Sequence, residues 1–203
     1  MDQMDQVLAL LGRPVVDLAA LGEAFEAATP RERVRITEAI DGRGQAKLWD
    51  ATAGRDVTIA EMVPPDYTGL RPVIFHGKNS LPAFTRFQKR FCRPAPGVGR
   101  DELWGYNYQP VGWLAPLTGP GYFVAYDSAG GPGRVAIDYT RIPPDKPREW
   151  PEIHDNKYRL SRFIYNGTID YLRRVSEHLL IGRATRAGRD MPNWFLLCRE
   201  DPA

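Results

Sequence analysis

The sequence lacks long apolar runs and has few cysteines. No stretch approaches the roughly 20 apolar residues of a membrane-spanning helix, and the first five residues carry two aspartates but no basic residue, unlike a secretory signal. Its two cysteines, Cys92 and Cys198, have no spacing typical of a metal site. We therefore expect a cytoplasmic protein whose two thiols stay reduced and buried.

Motifs of catalysis and cofactor binding are also missing. The chain has no P-loop, no dinucleotide-binding glycine pattern after a strand, no His-Glu-x-x-His and no Gly-x-Ser-x-Gly. Its three histidines, His76, His154 and His178, are too far apart in sequence to predict a shared metal. We therefore expect no cofactor and no metal. A non-enzymatic role is favoured over an enzymatic one.

Acidic residues are absent from residues 71–100, which hold seven Lys and Arg. Residues 1–70 hold seven basic and twelve acidic residues, and residues 101–203 hold thirteen of each. Such a basic block projects a positive potential toward an anionic ligand or partner. The remainder of the chain argues against a nucleic-acid binder, which needs a broad basic face.

Helical periodicity dominates residues 1–65. Apolar residues repeat at helical spacing in Val7–Leu11, and Asp17 is a candidate N-cap for a second helix. Thr29 followed by Pro30 and Glu32 has the pattern of a capping box and predicts a third helix, which Gly42 and Gly44 are expected to end. Residues 1–65 are thus predicted to form a helical N-terminal part, in which Ala46–Arg55 has no decisive pattern.

The basic block predicts a loop followed by an amphipathic helix over residues 80–93. Ser80 is its candidate cap, and Pro82 lies in the first turn. The apolar face would carry Leu81, Phe84, Phe87 and Phe91, and the opposite face Arg86, Lys89, Arg90 and Arg93. The charged face is either simply solvated or docks onto lipid headgroups or an acidic protein.

Residues 101–203 change to the pattern of an antiparallel β meander. Asn166-Gly167 is a specific signal for a tight hairpin. The predicted strands are Leu103–Gln109, Tyr122–Asp127, Arg134–Ile142, Arg159–Tyr165, Thr168–Val175, His178–Thr185 and Asn193–Arg199. The whole chain, residues 1–203, is thus predicted to be one α+β domain, with N-terminal helices packed on a strongly curved antiparallel up-and-down sheet or barrel.

The candidate binding residues combine aromatic and polar side chains. Trp104, Tyr106, Tyr108, Trp113, Tyr122 and Tyr126 either belong to the core or line an apolar pocket on the concave side of the sheet. His76, Lys78 and Asn79, with Arg86 or Arg90, would hold the polar head of a ligand at the mouth of that pocket.

One predicted strand carries further charges. Alternation places Asp170 and Arg174 on one face and Tyr171 and Arg173 on the other. These charges either form ion pairs on the solvent side or point into the barrel, where they would need each other or a ligand as partners. Asp170 and Arg173 are therefore candidate ligand-binding residues.

The order of several short segments resembles the uncharacterised bacterial proteins named for a Gly-x-Trp-x-Gly motif. The matching segments are Leu48-Trp49 with Gly54, His76-Gly77-Lys78, Ile169–Val175, Leu179–Gly182 and Phe195–Glu200. The motif itself is absent, because Trp49 has no flanking glycines. The resemblance implies a small lipocalin-like barrel and transfers no catalytic residue, since that family has no agreed activity.

The leading hypothesis is non-enzymatic binding of a small apolar or amphipathic ligand, lipid-like and in one version anionic, in a barrel-like pocket. The first alternative is an enzyme that uses His76 or His178 as general base with Asp170 orienting it. The second is an interaction module whose basic helix docks an acidic protein or an anionic membrane surface.

Overall fold

The computed structural model describes residues 2–82, 85–95, 97–98, 101–109, 120–154 and 167–201. Within these ranges five helices precede eight strands. The helices are α1 Gln3–Gly12, α2 Leu18–Glu26, α3 Pro30–Ala39, α4 Gly42–Ala51 and α5 Ile59–Met62. The strands are β1 Val73–Asn79, β2 Arg86–Cys92, β3 Leu103–Tyr108, β4 Tyr122–Asp127, β5 Val135–Asp138, β6 Thr168–Arg174, β7 Leu179–Arg186 and β8 Arg189–Arg199.

The helix starts follow the capping signals of the sequence. Asp17 accepts hydrogen bonds from two first-turn amides of α2, and Thr29 and Glu32 form the predicted capping box of α3. The prediction for Gly42 and Gly44 was wrong, because they begin α4. The carboxylate of Asp41 accepts from the Gly44 amide at 2.8 Å and satisfies a first-turn donor.

The eight strands form a closed antiparallel barrel. Each strand pairs with the next one in sequence, and β8 pairs with β1 to close the barrel. The predicted curved up-and-down sheet is thus confirmed as a barrel, to which two strands from outside the predicted meander, β1 and β2, also belong. Closure removes the exposed edges that an open sheet of this size would leave.

The predicted helix over residues 80–93 was wrong, as was the loop before it, because β1 and β2 occupy this region. Residues of β2 pair with β1 on one side and with β3 on the other. Phe87, Lys89 and Phe91 alternate along the inner row, whereas Arg86 and Arg90 lie in the outer row. Backbone hydrogen bonds to two neighbouring strands therefore override the helical spacing of the phenylalanines.

The pairing of β6 also differs from the prediction. Both of its edges are occupied, by β5 and by β7, so β6 does not form the hairpin expected at Asn166-Gly167. The predicted strand Arg159–Tyr165 and the aromatic Trp113 lie outside the described residues. The strand that pairs with β6 on the side opposite β7 is β5, about thirty residues earlier in the chain.

Three apolar clusters hold the described elements together. The interior of the barrel is one cluster, and α5 with its flanking Val57 and Val63 packs into one end of it, here named the α5 end. Helices α1–α4 form the second cluster against the outer face of β7 and β8. The third covers the outer face of β2–β4 with Trp150.

Candidate functional site

A cluster of four polar side chains lies inside the barrel, toward the end opposite α5. The Lys89 amine contacts Asn107 Oδ1 at 3.0 Å and Asp170 Oδ2 at 3.1 Å, and it also donates to the Tyr139 hydroxyl. Tyr139 is further bonded to Asp170 Oδ2 at 3.2 Å. All four residues are buried, with Lys89 only 2% exposed. We refer to Lys89, Asn107, Tyr139 and Asp170 as the interior polar cluster.

Aromatic rings surround the Lys89 amine. The nitrogen lies 5.0–5.6 Å from the ring centroids of Phe87, Phe123, Tyr139 and Phe195. Burial lowers the pKa of Lys89, and the nearby Asp170 carboxylate opposes that shift without cancelling it. A cation among rings is favourable, but removing both ions from water costs several kcal/mol each. A purely structural interior would be served equally well by apolar residues.

A second feature is a cavity of about 450 Å³ at the α5 end. Its apolar lining comes from the barrel interior and from the segment around α5, through Val57, Met62, Phe75 and Leu180. Its polar lining consists of Arg55, Glu61, Arg174, Ser176, Glu177 and Arg199. This volume and the mixture of an apolar wall with a few polar groups are typical of small-molecule sites. We refer to it as the α5-end cavity.

Several donors that line the α5-end cavity lack acceptors among the described residues. The Arg55 guanidinium is exposed and forms no ion pair or hydrogen bond with any described residue. Arg199 Nε is buried and has no hydrogen-bond partner among the described residues. The Ser176 hydroxyl is also buried without such a partner, because it lies near Glu26 but lacks the geometry of a hydrogen bond. Buried donors in proteins almost always have an acceptor, so these atoms mark a place where a ligand acceptor would fit.

The carboxylates at this cavity are already engaged. Glu61 forms an ion pair with Arg174, and its backbone carbonyl accepts from Arg199 Nη1 at 2.9 Å. Burial alone would raise the pKa of Glu61, but hydrogen bonds from Arg174 and Thr58 lower it below its usual value. Glu177 lies 3.5 Å from Arg199 and is largely exposed. With three arginines and two carboxylates, the lining is net positive.

The structure disperses the polar residues that were predicted to hold a ligand head. His76 Nε2 lies 3.2 Å from Glu200, and Asn79 Oδ1 accepts from the Leu81 amide at 3.0 Å. Lys78 lies in the outer row of β1. Arg86 pairs with Glu38 at 3.1 Å. None of these four side chains belongs to the interior apolar cluster or lines the α5-end cavity.

Arg90 and Arg173 likewise lie on outer faces. Arg90 stacks on Tyr108, with 4.2 Å to the ring centroid, and donates to Gln88. Arg173 stacks on Trp49 at 3.9 Å and donates to the carbonyls of Trp49 and Pro132. Asp170 points into the barrel, unlike Arg90 and Arg173, and its ionic partner is Lys89 rather than Arg174. The expected division of β6 into two faces is thus correct, but Lys89 was not predicted as the ionic partner of Asp170.

The predicted aromatic lining lies on the wrong side of the sheet. Trp104, Tyr106 and Tyr122 pack outside the barrel, against Trp150, and Tyr126 lies beside them. Tyr108 is also in the outer row and is partly exposed. The interior rings are instead phenylalanines together with Tyr139. The alternation of the tyrosines was read correctly, but period-2 spacing alone does not say which row faces inward.

The proposed histidine–aspartate pair is not formed. His178 lies between two carboxylates, 2.6 Å from Glu26 and 2.8 Å from Asp201, and His76 pairs with Glu200. Asp170 bonds to Lys89 and Tyr139 inside the barrel. A general base oriented by Asp170 therefore has no support in these contacts.

Sequence reasoning missed the residues that matter most at both places. Lys89 was assigned to the solvated face of a helix, and neither Asn107 nor Tyr139 was singled out. A usable signal was the alternation of Phe87, Lys89 and Phe91, which fits a strand with one lysine in an apolar row. Nothing in the linear sequence brings Arg55, more than a hundred residues away, to Arg199.

Comparison with known proteins gives no match, whether to protein-family models, to curated proteins or to solved structures. The resemblance to the Gly-x-Trp-x-Gly proteins therefore stays a prediction. Among the described residues no helix has the length and apolar character to cross a membrane. The same residues contain no group of three or more His, Cys, Asp or Glu that could hold a metal ion.

Proposed function

We propose that the protein binds a small amphipathic anion in the α5-end cavity. The observation that carries the proposal is the pairing of an apolar wall with two donors, the Arg55 guanidinium and Arg199 Nε, that have no acceptor among the described residues. The wall would bury the apolar part of the ligand, and Arg55 and Arg199 would bind its carboxylate or phosphate head. This is the ligand class expected from the sequence, held by different residues at one end of the barrel.

The energetic balance favours a ligand that has both an apolar chain and an anionic head. Burying a methylene group contributes about 0.8 kcal/mol, so several methylenes are needed to offset the cost of association. A hydrogen bond to a charged group contributes about 1.5–3 kcal/mol. An ion without an apolar chain would make no contact with the wall of Val57, Phe75 and Leu180, and an uncharged chain would leave Arg55 and Arg199 Nε without an acceptor.

The test is a titration with sodium decanoate, a ten-carbon carboxylate, followed by isothermal calorimetry. Decanol and decyltrimethylammonium, which have the same chain with a neutral or cationic head, are the comparison ligands. We expect binding in the order decanoate, decanol, decyltrimethylammonium. Equal affinity for the three ligands, or no heat with any of them, would refute the proposal.

Arg55 supplies the matched variant, because its side chain is exposed and makes no contact on which the fold depends. Arg55→Gln should weaken decanoate binding by about 10- to 100-fold, since it removes one charged donor. Arg43→Gln, at an exposed position of α4 remote from the cavity lining, should bind decanoate as the unchanged protein does. Equal effects of both variants would indicate only non-specific attraction to a positive surface.

A further inference from the structure

The interior polar cluster has no role in the α5-end cavity, and its chemistry points elsewhere. Its members lie close to the end of the barrel opposite α5. Lys89 is three residues from the start of β2, Asn107 is one residue from the end of β3, and Tyr139 directly follows β5. At about 3.3 Å per strand residue, Lys89 lies within about 10 Å of that rim. Phe87, between Lys89 and the rim, is only partly buried.

We propose that the Lys89 amine condenses with a small aldehyde or ketone to form an imine inside the barrel. This activity is independent of anion binding at the α5 end. Three features support it: a primary amine in apolar surroundings, a carboxylate 3.1 Å from its nitrogen, and a phenol in contact with both groups. A lysine surrounded by apolar groups is a usual way to keep an amine nucleophilic at neutral pH.

The protonation state is favourable for attack. Burial lowers the pKa of Lys89 even though Asp170 opposes the shift, so more of the amine is unprotonated than in an exposed lysine. The described titratable groups bonded to it are Asp170 and Tyr139. Since Tyr139 contacts both the amine and Asp170, it can pass a proton between them.

The proposed reaction balances without a further reagent. The nitrogen lone pair attacks the carbonyl carbon, and the carbonyl π pair moves to oxygen, which takes the Tyr139 proton while Asp170 takes a proton from nitrogen. Asp170 returns its proton to the hydroxyl of the carbinolamine, the C–O bond breaks, and water leaves as the C=N bond forms. The remaining iminium proton restores Tyr139. The products are one imine and one water.

The size of the carbonyl compound follows from the rings. Phe87, Phe123 and Phe195 surround the amine at 5.1–5.6 Å, so a group that reaches it must be short and apolar rather than a long chain. No described cation other than Lys89 itself faces the amine, and Asp170 would repel a carboxylate brought beside it. A neutral aliphatic aldehyde or ketone of a few carbons is therefore the class that fits.

The experiment traps the imine in the folded, unchanged protein. The protein is incubated at pH 7 with butanal and sodium cyanoborohydride, and the alkylated lysines are located by peptide mass spectrometry. Lys78, in the outer row of β1, is the internal reference amine. We expect Lys89 to be alkylated at least about tenfold faster than Lys78, because burial keeps more of its amine unprotonated at pH 7. Alkylation of Lys78 with none at Lys89 would overturn the proposal.

A variant separates a reacting site from a merely accessible amine. Tyr139→Phe removes the proposed proton donor but keeps the ring in place, so the alkylation rate at Lys89 should fall while that at Lys78 is unchanged. An unchanged rate at Lys89 would show that Tyr139 takes no part in the reaction and that Lys89 reacts only as an unassisted amine. Circular dichroism before and after incubation shows whether the fold is retained, and the mapping of the unchanged protein does not depend on any variant.

Discussion

The ring of Phe195 covers the Cα of Gly182 on the neighbouring strand, where a Cβ would overlap the ring carbons. The same relationship joins Gly77 with Phe87 and Gly105 with Phe123, in each case between directly paired residues. The barrel therefore fits large rings into its interior by leaving the opposite position without a side chain. All three rings, Phe87, Phe123 and Phe195, also lie beside Lys89.

Gly182→Ala should destabilise the protein, because the added methyl has no space unless Phe195 moves. Overpacking of this kind costs about 1–3 kcal/mol. Gly130→Ala is the matched control, since a Cβ there meets nothing within 4 Å and the residue has no positive φ. Urea unfolding of both variants provides the measurement, and a stability of Gly182→Ala equal to that of Gly130→Ala would contradict the packing.

Lys89→Met should lower the stability of the fold by more than the lost contacts of the lysine account for, because it leaves the Asp170 carboxylate buried without its ionic partner. Removing one member of a buried pair costs about 3–5 kcal/mol. The double variant Lys89→Met with Asp170→Leu should recover most of that loss. Lys78→Met, on the outer row, should change stability by less than about 0.5 kcal/mol. Equal stabilities of the single and double variants in guanidinium unfolding would show that the two charges are not coupled.

Both cysteines should be unreactive in the folded protein. Burial raises the pKa of Cys92 to about 12, and burial likewise raises the pKa of Cys198 to about 11. At pH 8 both groups are thus protonated thiols, whereas the thiolate is the reactive form. Ellman's reagent should detect no thiol in native buffer and two per chain in guanidinium. Rapid reaction of one thiol in native buffer would show that the corresponding cysteine is not buried.

Glu61 should contribute to acid sensitivity. Its pKa is lower in the folded protein than in the unfolded chain, so it stabilises the fold at neutral pH. That contribution is lost as the pH falls from its ordinary value near 4.5 through the lowered folded value. Glu61→Gln should accordingly be less stable at pH 7 and show a smaller further loss on acidification.

The matched control for Glu61 is Glu177→Gln. This carboxylate lines the same cavity but is 72% exposed, and its pair with Arg199 is long. Exposed pairs of this type contribute little, so the variant should retain the acid dependence of the unchanged protein. Thermal unfolding followed at a series of pH values compares the three proteins, and parallel curves for all of them would exclude a role for Glu61.

The helical part of the fold was predictable because its signals are local. A cap such as Thr29 with Glu32 bonds to amides only three residues away, so the spacing in the sequence is also the spacing in space. The strands β3, β4 and β6–β8 were recognisable for a similar reason, since their alternating side chains show the period of two. Gly42 was misjudged because a glycine near a boundary fits either a helix end or a start, and Asp41 decided between them.

The segment around Lys89 illustrates the limit of local signals. Phe84, Phe87 and Phe91 have helical spacing, while Phe87, Lys89 and Phe91 have strand spacing, and the sequence satisfies both. Only hydrogen bonds to β1 and β3 choose the strand, and these partners lie up to about twenty residues away. The absence of acidic residues in this block was an accurate observation, but the strand divides its charges between the inside and the outside of the barrel.

The sequence by itself determined the helical N-terminal part, most strands and the curved antiparallel class of the sheet, because capping and alternation act between near neighbours. Tertiary structure alone decided that the sheet closes with eight strands, which row of each strand faces inward, and which distant residues meet. The pairing of Lys89 with Asp170 and the approach of Arg55 to Arg199 both follow from closure, since a closed barrel fixes the register of every strand against two others.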